Sequence, residues 1–253
     1  MQIVKKVIKV IKVVICCILC IWLLFITESI IPKEQLSQVS EKYLVFDRAQ
    51  KQEYDRIKCI VSEADSNEVC SIEIKYVLEY YDMVFSMLVN EDPDMFWLSG
   101  LQYRINDNAT VDIQITTSLT KEERANIEMF AKNEINVLLK ETKNLRDVSA
   151  FVHYFQYIYE NVEYVSDDTL ATSAFGCLYE KQGNCQGYAK LLRYLCIEKG
   201  IPCLLVAGTH NDTSHMWNLV YLEGVPYYVD ITAYKTYGKV VFEKLPTAYQ
   251  ITV

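Results

Sequence analysis

The stretch KQGNCQGYAKLLRYLCIEKG, residues 181–200, places Cys185 between Asn184 and a run with helical spacing. Gly183 interrupts the preceding chain, and Gly200 is typical of a helix C-terminus. The apolar positions between them are Tyr188, Leu191, Leu192 and Leu195. This spacing predicts a helix whose first turn contains the cysteine.

A cysteine in the first turn of a helix has a specific chemical consequence. The free backbone amides and the positive end of the helix dipole favour an anion there, so the thiol loses its proton more readily. The same amides, including that of Cys185, are suited to hold a tetrahedral oxyanion. Since a thiolate needs a base to manage its proton, the stretch predicts a nucleophile whose partner lies elsewhere in the chain.

Of the three histidines, His215 has the best setting for that base. The segment SHMWNLVYLEGVPYYVDITAY, residues 214–234, is typical of two strands joined by a two-residue turn at Glu223-Gly224. The resulting pairs are Leu222 with Val225, Trp217 with Asp230, and His215 with Thr232. His215 and Asp230 then become diagonal neighbours, about 7–8 Å apart at Cα. The carboxylate is expected to fix the imidazole tautomer and to stabilise its charged form.

Other residues near this segment receive weaker assignments. We expect Trp217 and Tyr188 to contact substrate beside the cysteine. His153 lies within a helical run and is interpreted as structural, while His210 falls close to the site without an assigned role. The cysteines and histidines lack the short-spaced ligand pairs of a zinc site, so we expect neither a metal nor a cofactor.

The motifs GNCQGYA, HMWN and YYVDIT together resemble the transglutaminase-like superfamily, whose members carry Cys, His and Asp in that order. Upstream stretches such as DMFWLSG and FVHYFQYIYENVEY extend the resemblance, which covers roughly residues 92–234. It implies an α+β, papain-like fold in which a Cys-bearing helix packs on an antiparallel sheet bearing His and Asp. It also implies that Cys185 is the nucleophile, His215 the general base and acid, and Asp230 its orienter. Ala233-Tyr234 departs from the Trp and acid found in many relatives.

The N-terminus combines a basic segment with an apolar run. Four lysines precede an uncharged stretch from Val13 to Thr27, with Glu28 the only acid before Lys33. We expect residues 1–32 to be an uncleaved signal-anchor helix, with a cleaved signal peptide as the alternative. The positive-inside rule then places the body outside the cytoplasm. Without that end the formal charge of −8 loses four lysines and one glutamate and becomes −11, which disfavours a nucleic-acid partner.

The remaining sequence is expected to hold a stalk and helical lead-in at residues 33–90 and the catalytic domain at 91–253. A helix is predicted over Val69–Val89, ended by EDPD, and a half-buried strand over ATVDIQI. Thr120 with Glu123 forms a capping box, and Asp147 opens a further helix. The apolar faces predicted for these two helices are Ile127, Phe130, Ala131, Ile135 and Leu138, then Val148, Val152, Phe155 and Tyr159.

The nine cysteines divide between the N-terminal stretch and the body. If Cys185 stays a free thiol, five remain in the body, so they cannot all pair with one another. By exclusion of the other cysteines, Cys59 and Cys70 are the favoured disulfide pair. The alternative is that most of the five are small buried hydrophobic residues.

The sequence therefore predicts a membrane-anchored, extracytoplasmic, cysteine-dependent acyl-transfer enzyme acting on peptide or protein amides through a thioester. Hydrolysis is slightly preferred over cross-linking. The rival is a catalytically silent binding or adaptor module at the cell surface, in which Cys185 is an inert buried thiol. Substrate identity, disulfide pairing and oligomeric state stay open.

Overall fold

The computed structural model describes residues 46–166, 170–244 and 246–251, which contain both helices and strands. The helices are α1 (Arg48–Glu63), α2 (Leu78–Asn90), α3 (Lys121–Thr142), α4 (Asp147–Asn161), α5 (Ala174–Glu180), α6 (Cys185–Lys199) and α7 (Tyr234–Tyr237). The strands are β1 (Val69–Glu73), β2 (Gly100–Asn106), β3 (Thr110–Thr116), β4 (Glu163–Tyr164), β5 (Gln182–Gly183), β6 (Cys203–His210), β7 (Thr213–Leu222), β8 (Val225–Val229), β9 (Val241–Phe242) and β10 (Tyr249–Ile251). The mixed helix and sheet class predicted from the sequence is confirmed.

A five-stranded antiparallel sheet in the order β10-β6-β7-β8-β9 forms one wall of the core. Its central hairpin has the predicted register, since Leu222 pairs with Val225 across a turn in which Glu223 and Gly224 both have positive φ. Regular β7–β8 pairing ends at Asn218 and Val229, one position before Asp230. Asp230 instead opens a short 3-10 turn, in which its side chain accepts from the amide of Thr232.

Helix α6 packs on this sheet through its apolar side. The fully buried members of that side are Leu191, Leu192, Leu195 and Cys196. The side chain of Asn218 on β7 donates to the carbonyl of Ala189 at 2.9 Å, which satisfies a buried polar contact between helix and sheet. Gly200 ends the helix in the left-handed conformation, as predicted, with φ of 85°.

A second, three-stranded sheet in the order β1-β3-β2 corrects the prediction for residues 69–89. Only Leu78–Asn90 is helical, because Val69–Glu73 pairs with β3 along its whole length. Tertiary pairing here outweighs the helical spacing of a short apolar segment. Helix α1, which lies within the expected stalk and helical lead-in, buries Tyr54, Ile57 and Val61. The expected domain boundary between residues 90 and 91 stays a prediction.

Helices α3 and α4 begin where the sequence predicts. The capping box of Thr120 and Glu123 is present, and helix α4 opens at Asp147. The expected face of α3 is buried except for Phe130, which is exposed. The expected face of α4 is confirmed only in part, since Val148 and Phe155 pack against the core while Val152 and Tyr159 are exposed. The buried residues are Ala150, Phe151, Tyr154 and Ile158. The apolar stripe of α4 is wide enough that spacing alone does not identify which side meets the core.

The favoured Cys59–Cys70 bridge is also wrong, because both residues are free thiols. Cys59 points to solvent from α1, whereas Cys70 is partly covered and packs against the core. Cys177, Cys196 and Cys203 are buried, which confirms that the remaining body cysteines act as small hydrophobic residues. The expected anchor, residues 1–32, lies outside the described residues. Within residues 46–166, 170–244 and 246–251, no helix has the length and apolar character needed to cross a membrane.

Candidate active site

Cys185 is the first residue of α6, at the mouth of a cleft. Asn184 caps the helix, and its side-chain oxygen accepts from the amides of Gln186 at 3.0 Å and Gly187 at 3.2 Å. A side chain at Gly187 is excluded, because a Cβ would lie 2.1 Å from the carbonyl oxygen of Ala171. The close approach of backbone to backbone therefore fixes the start of the helix that carries the thiol.

The capping by Asn184 narrows the choice of oxyanion donors. Two of the first-turn amides expected to be free are occupied by the cap, and Tyr188 N–H bonds to Asn184 O at 2.9 Å. The amide of Cys185 itself is not used by the cap. It is therefore the first-turn donor best placed for a developing oxyanion.

His215, on β7, connects Cys185 to Asp230. Its Nε2 lies 2.7 Å from Asp230 Oδ2 and 3.3 Å from Thr232 Oγ1. With Nε2 directed at the carboxylate, Nδ1 is the ring nitrogen that remains for the hydrogen bond between His215 and Cys185. The structure thus brings Cys185, His215 and Asp230 together, although no residue of this set neighbours another in sequence.

Asp230 is buried, with only 3% of its surface exposed, and is surrounded by donors. Besides His215, its Oδ2 accepts from the Tyr249 hydroxyl at 2.7 Å. Its Oδ1 accepts from the amide of Thr232 at 2.9 Å and the Thr232 hydroxyl at 2.6 Å. These donors offset the large cost of burying a carboxylate and fix its orientation towards the imidazole.

The electrostatic coupling of these groups favours a charged thiolate and imidazolium. Burial raises the pKa of Cys185, but the hydrogen bond and charge of His215, with the amides of Met216 and Gln186, lower it below the ordinary 9.0. Burial lowers the pKa of His215, whereas Asp230 and then Cys185 raise it, with a net value of about 9. Burial raises the pKa of Asp230, and His215, Thr232 and Tyr249 together hold it below the ordinary 3.8.

The two expected substrate contacts differ in position. Tyr188 lines the cleft, and its hydroxyl donates to the carbonyl of Val162 at 2.6 Å. Trp217 does not line the cleft, because it is almost fully covered and lies behind His215 with ring centroids 5.8 Å apart. The alternation of β7 places residues 215 and 217 on one face, so the indole supports the imidazole rather than reaching solvent.

The cleft has a volume of about 670 Å³. Its lining comprises Tyr159, Val162, Glu163, Tyr164, Cys185, Tyr188, His210, Asn211, Thr213, Ser214, His215, Ile231, Thr232 and Tyr234. His210, expected near the site, ends strand β6 and stacks on Tyr249 at 4.4 Å between centroids. Burial and then the charge of His215 lower the pKa of His210 from its ordinary 6.5, whereas the charge of Asp230 raises it.

Sequence reasoning missed several of these residues for identifiable reasons. Asn184 carries a local signal, since asparagine is a favoured N-cap residue. That its side chain accepts from two backbone amides is seen only in the structure. Tyr249 carries none, because its contact with Asp230 spans nineteen positions and depends on the edge strand β10 pairing with β6. His153 lies away from the cleft, where its Nε2 is 3.1 Å from Glu141. Within the described residues no group of His, Cys, Asp and Glu has the arrangement of a metal site.

Comparisons with known proteins agree with the resemblance found in the motifs. Residues 136–231, less than half of the sequence, match the family model of the Transglutaminase-like superfamily, which confirms the resemblance over that segment. No curated protein matches the sequence.

Three solved structures are similar to parts of the protein. A candidate cysteine protease from Cytophaga hutchinsonii has 18% identity and a TM-score of 0.36 over 60% of this chain and 70% of that one. A protein described as a TGase has 13% identity and a TM-score of 0.39 over 74% of this chain and 56% of that one. A candidate protease from Parabacteroides distasonis has 10% identity and a TM-score of 0.31 over 58% and 41%.

Replacing Asp230 with Asn is expected to suppress the reactivity of Cys185 towards iodoacetamide. Without the carboxylate charge, burial dominates and lowers the pKa of His215, so the thiol loses the cation that lowers its own pKa. A one-unit rise in the thiol pKa reduces the alkylation rate about tenfold at pH values below it. The measurement is alkylation of the Cys185 peptide against pH by mass spectrometry.

The background for that measurement is Cys59→Ala, which removes an exposed free thiol. In this background the unsubstituted site should react at pH values below the ordinary thiol pKa of 9.0. If the alkylation rate of Cys185 depends on pH in the same way with Asp230 and with Asp230→Asn, the role given to the carboxylate is contradicted.

Proposed function

We propose that the protein is a cysteine-dependent acyl-transfer enzyme that acts on peptide or protein amides. The observation that carries the proposal is the continuous contact from Cys185 through His215 to Asp230, at the start of a helix and in a cleft. The match of residues 136–231 to the transglutaminase-like family supports the same chemistry. A papain-like order of nucleophile, base and orienter fits both observations.

In the acylation step, the Cys185 thiolate attacks the carbonyl carbon of the amide. A bond forms between sulfur and carbon, and the oxyanion accepts from the amide of Cys185. His215 gives its Nδ1 proton to the departing nitrogen as the carbon–nitrogen bond breaks, which leaves a thioester and a neutral imidazole. Asp230 holds the imidazole by Nε2 throughout and stabilises its charged form.

In the deacylation step, the neutral imidazole of His215 accepts a proton from water or from an amine that attacks the thioester. The carbon–sulfur bond then breaks and the thiolate and imidazolium return. Water gives hydrolysis, whereas an amine gives transfer or cross-linking. We propose hydrolysis as the main outcome, because the cleft opens to solvent and water needs no second binding region.

Incubation with unfolded casein and a fluorescent primary amine tests this function. We expect new peptide ends or released ammonia to exceed incorporated amine, because water competes for the thioester in an open cleft. The variant Cys185→Ala should lose both products by at least about 1000-fold, since the nucleophile acts as a unit with its base. The matched control is Cys59→Ala, which removes a thiol outside the cleft and should leave the rate unchanged.

The rival reading makes the opposite prediction for that assay. A silent binding module would release neither product, and its Cys185 would react with iodoacetamide no faster than an ordinary thiol. Incorporated amine well in excess of hydrolysis would instead overturn the preference for water and leave the acyl-transfer chemistry intact.

We also propose that residues 1–32 anchor the protein in a membrane with the body outside the cytoplasm. The support is the sequence alone: four lysines before an apolar run, followed by a body rich in acids. Protease added to intact cells should digest the body, and alkaline washing of membranes should leave the full-length protein bound. A body that is protected until the cells are lysed would contradict the orientation.

A further inference from the structure

Strand β4, at the rim of the cleft, has one free edge. It pairs in parallel with β5, where Glu163 N–H donates to Lys181 O at 2.8 Å and Val165 N–H donates to Gly183 O at 3.0 Å. Successive peptide groups of a strand point to opposite sides. The N–H and C=O of Tyr164 therefore face away from β5, and among the residues that the structure describes no strand pairs with them.

The strand that carries this free edge and the candidate nucleophile line the same cleft. Gly183, the partner of Tyr164 in β5, precedes Cys185 by two residues. The hydroxyl of Tyr188, on α6, donates to the carbonyl of Val162 at 2.6 Å and so holds β4 against the helix that carries the thiol. Tyr164 and Cys185 line the same cleft, and the thiolate charge adds to burial in raising the pKa of the Tyr164 phenol.

The charges of the cleft indicate which polypeptides fit. Among the described lining residues Glu163 is an exposed carboxylate, and neither lysine nor arginine is present. The free carboxylate at the end of a polypeptide needs a cation or a set of donors to be held, whereas an internal segment brings only neutral peptide groups. The exposed rings of Tyr159, Tyr164 and Tyr234 offer contact area for neutral side chains.

We propose that β4 receives the substrate as an added strand. The occupant is an extended internal segment of a polypeptide, one residue of which exchanges two backbone hydrogen bonds with Tyr164 while a neighbouring carbonyl lies at Cys185. The recognised group is the peptide backbone, so selectivity among side chains is left to the tyrosines of the rim. This inference rests on the proposed acyl-transfer function and adds the conformation and class of its substrate.

A short peptidyl chloromethyl ketone with neutral side chains tests the added strand. It is compared with analogues N-methylated at one backbone amide at a time, in the Cys59→Ala background. Methylation removes one donor, so at one position it should slow inactivation of Cys185 about tenfold, and elsewhere have little effect. Iodoacetamide, which needs only the thiolate, measures the chemistry separately.

Two variants identify the strand that the peptide joins. Tyr164→Pro removes the outward-facing N–H, a change that an edge strand tolerates, and Tyr164→Ala removes the ring but keeps the N–H. The alanine variant keeps both backbone bonds and should retain the effect of methylation. The proline variant loses the N–H that donates to the peptide carbonyl, so the parent peptide should inactivate it about tenfold more slowly, while its reaction with iodoacetamide stays normal.

The outcomes separate the two proposals. Equal inactivation rates for the parent peptide and all its methylated analogues, with normal iodoacetamide reactivity, would overturn the added strand and leave the proposed function standing. If Cys185 reacts with iodoacetamide no faster than an ordinary thiol, the proposed acyl-transfer function is overturned instead.

Discussion

The hydrogen bond of 2.7 Å between His215 Nε2 and Asp230 Oδ2 is the constraint on which the site depends. It joins strand β7 to the turn that follows β8 and directs Nδ1 of the imidazole towards Cys185. A buried carboxylate is costly unless it is paired, and a buried imidazolium is costly for the same reason. Each charge therefore stabilises the other, and both depend on a sheet register that brings them together.

The rest of the fold supports that contact from three directions. Behind the imidazole, Trp217 excludes water, and Tyr249 from the last described strand donates to the carboxylate. On the opposite side, α6 is fixed by the N-cap of Asn184 and by close packing at Gly187. The thiolate is thus held between a helix terminus and a charged imidazole, which both favour its charged form.

Local signals explain what the sequence predicted well. The break at Gly183, the turn at Glu223-Gly224 and the capping box at Thr120 each depend on a few consecutive residues, and the structure has all three. Counting residues outward from the hairpin turn gives the strand register. The sequence therefore predicts that His215 and Asp230 lie near each other. Their catalytic roles stay predictions until the chemistry is measured.

Long-range packing explains what the sequence did not reveal. Whether Val69–Glu73 continues a helix or pairs as a strand depends on β3, more than thirty residues away. The buried side of α4 depends on which neighbours cover it, and Trp217 on β7 contacts Tyr249 on β10, with ring centroids 5.2 Å apart. The free edge of β4 likewise exists only because two short segments meet beside Cys185.

The most direct test of the account is an NMR titration of the histidine side chains in the folded protein. The sequence has only three histidines, so His215 can be assigned from single substitutions at His153 and His210. The account predicts that His215 keeps its charge until the pH approaches about 9, and that its titration moves down when Asp230 is replaced by Asn. A His215 that titrates near the ordinary 6.5, with or without the carboxylate, would contradict the thiolate–imidazolium pair.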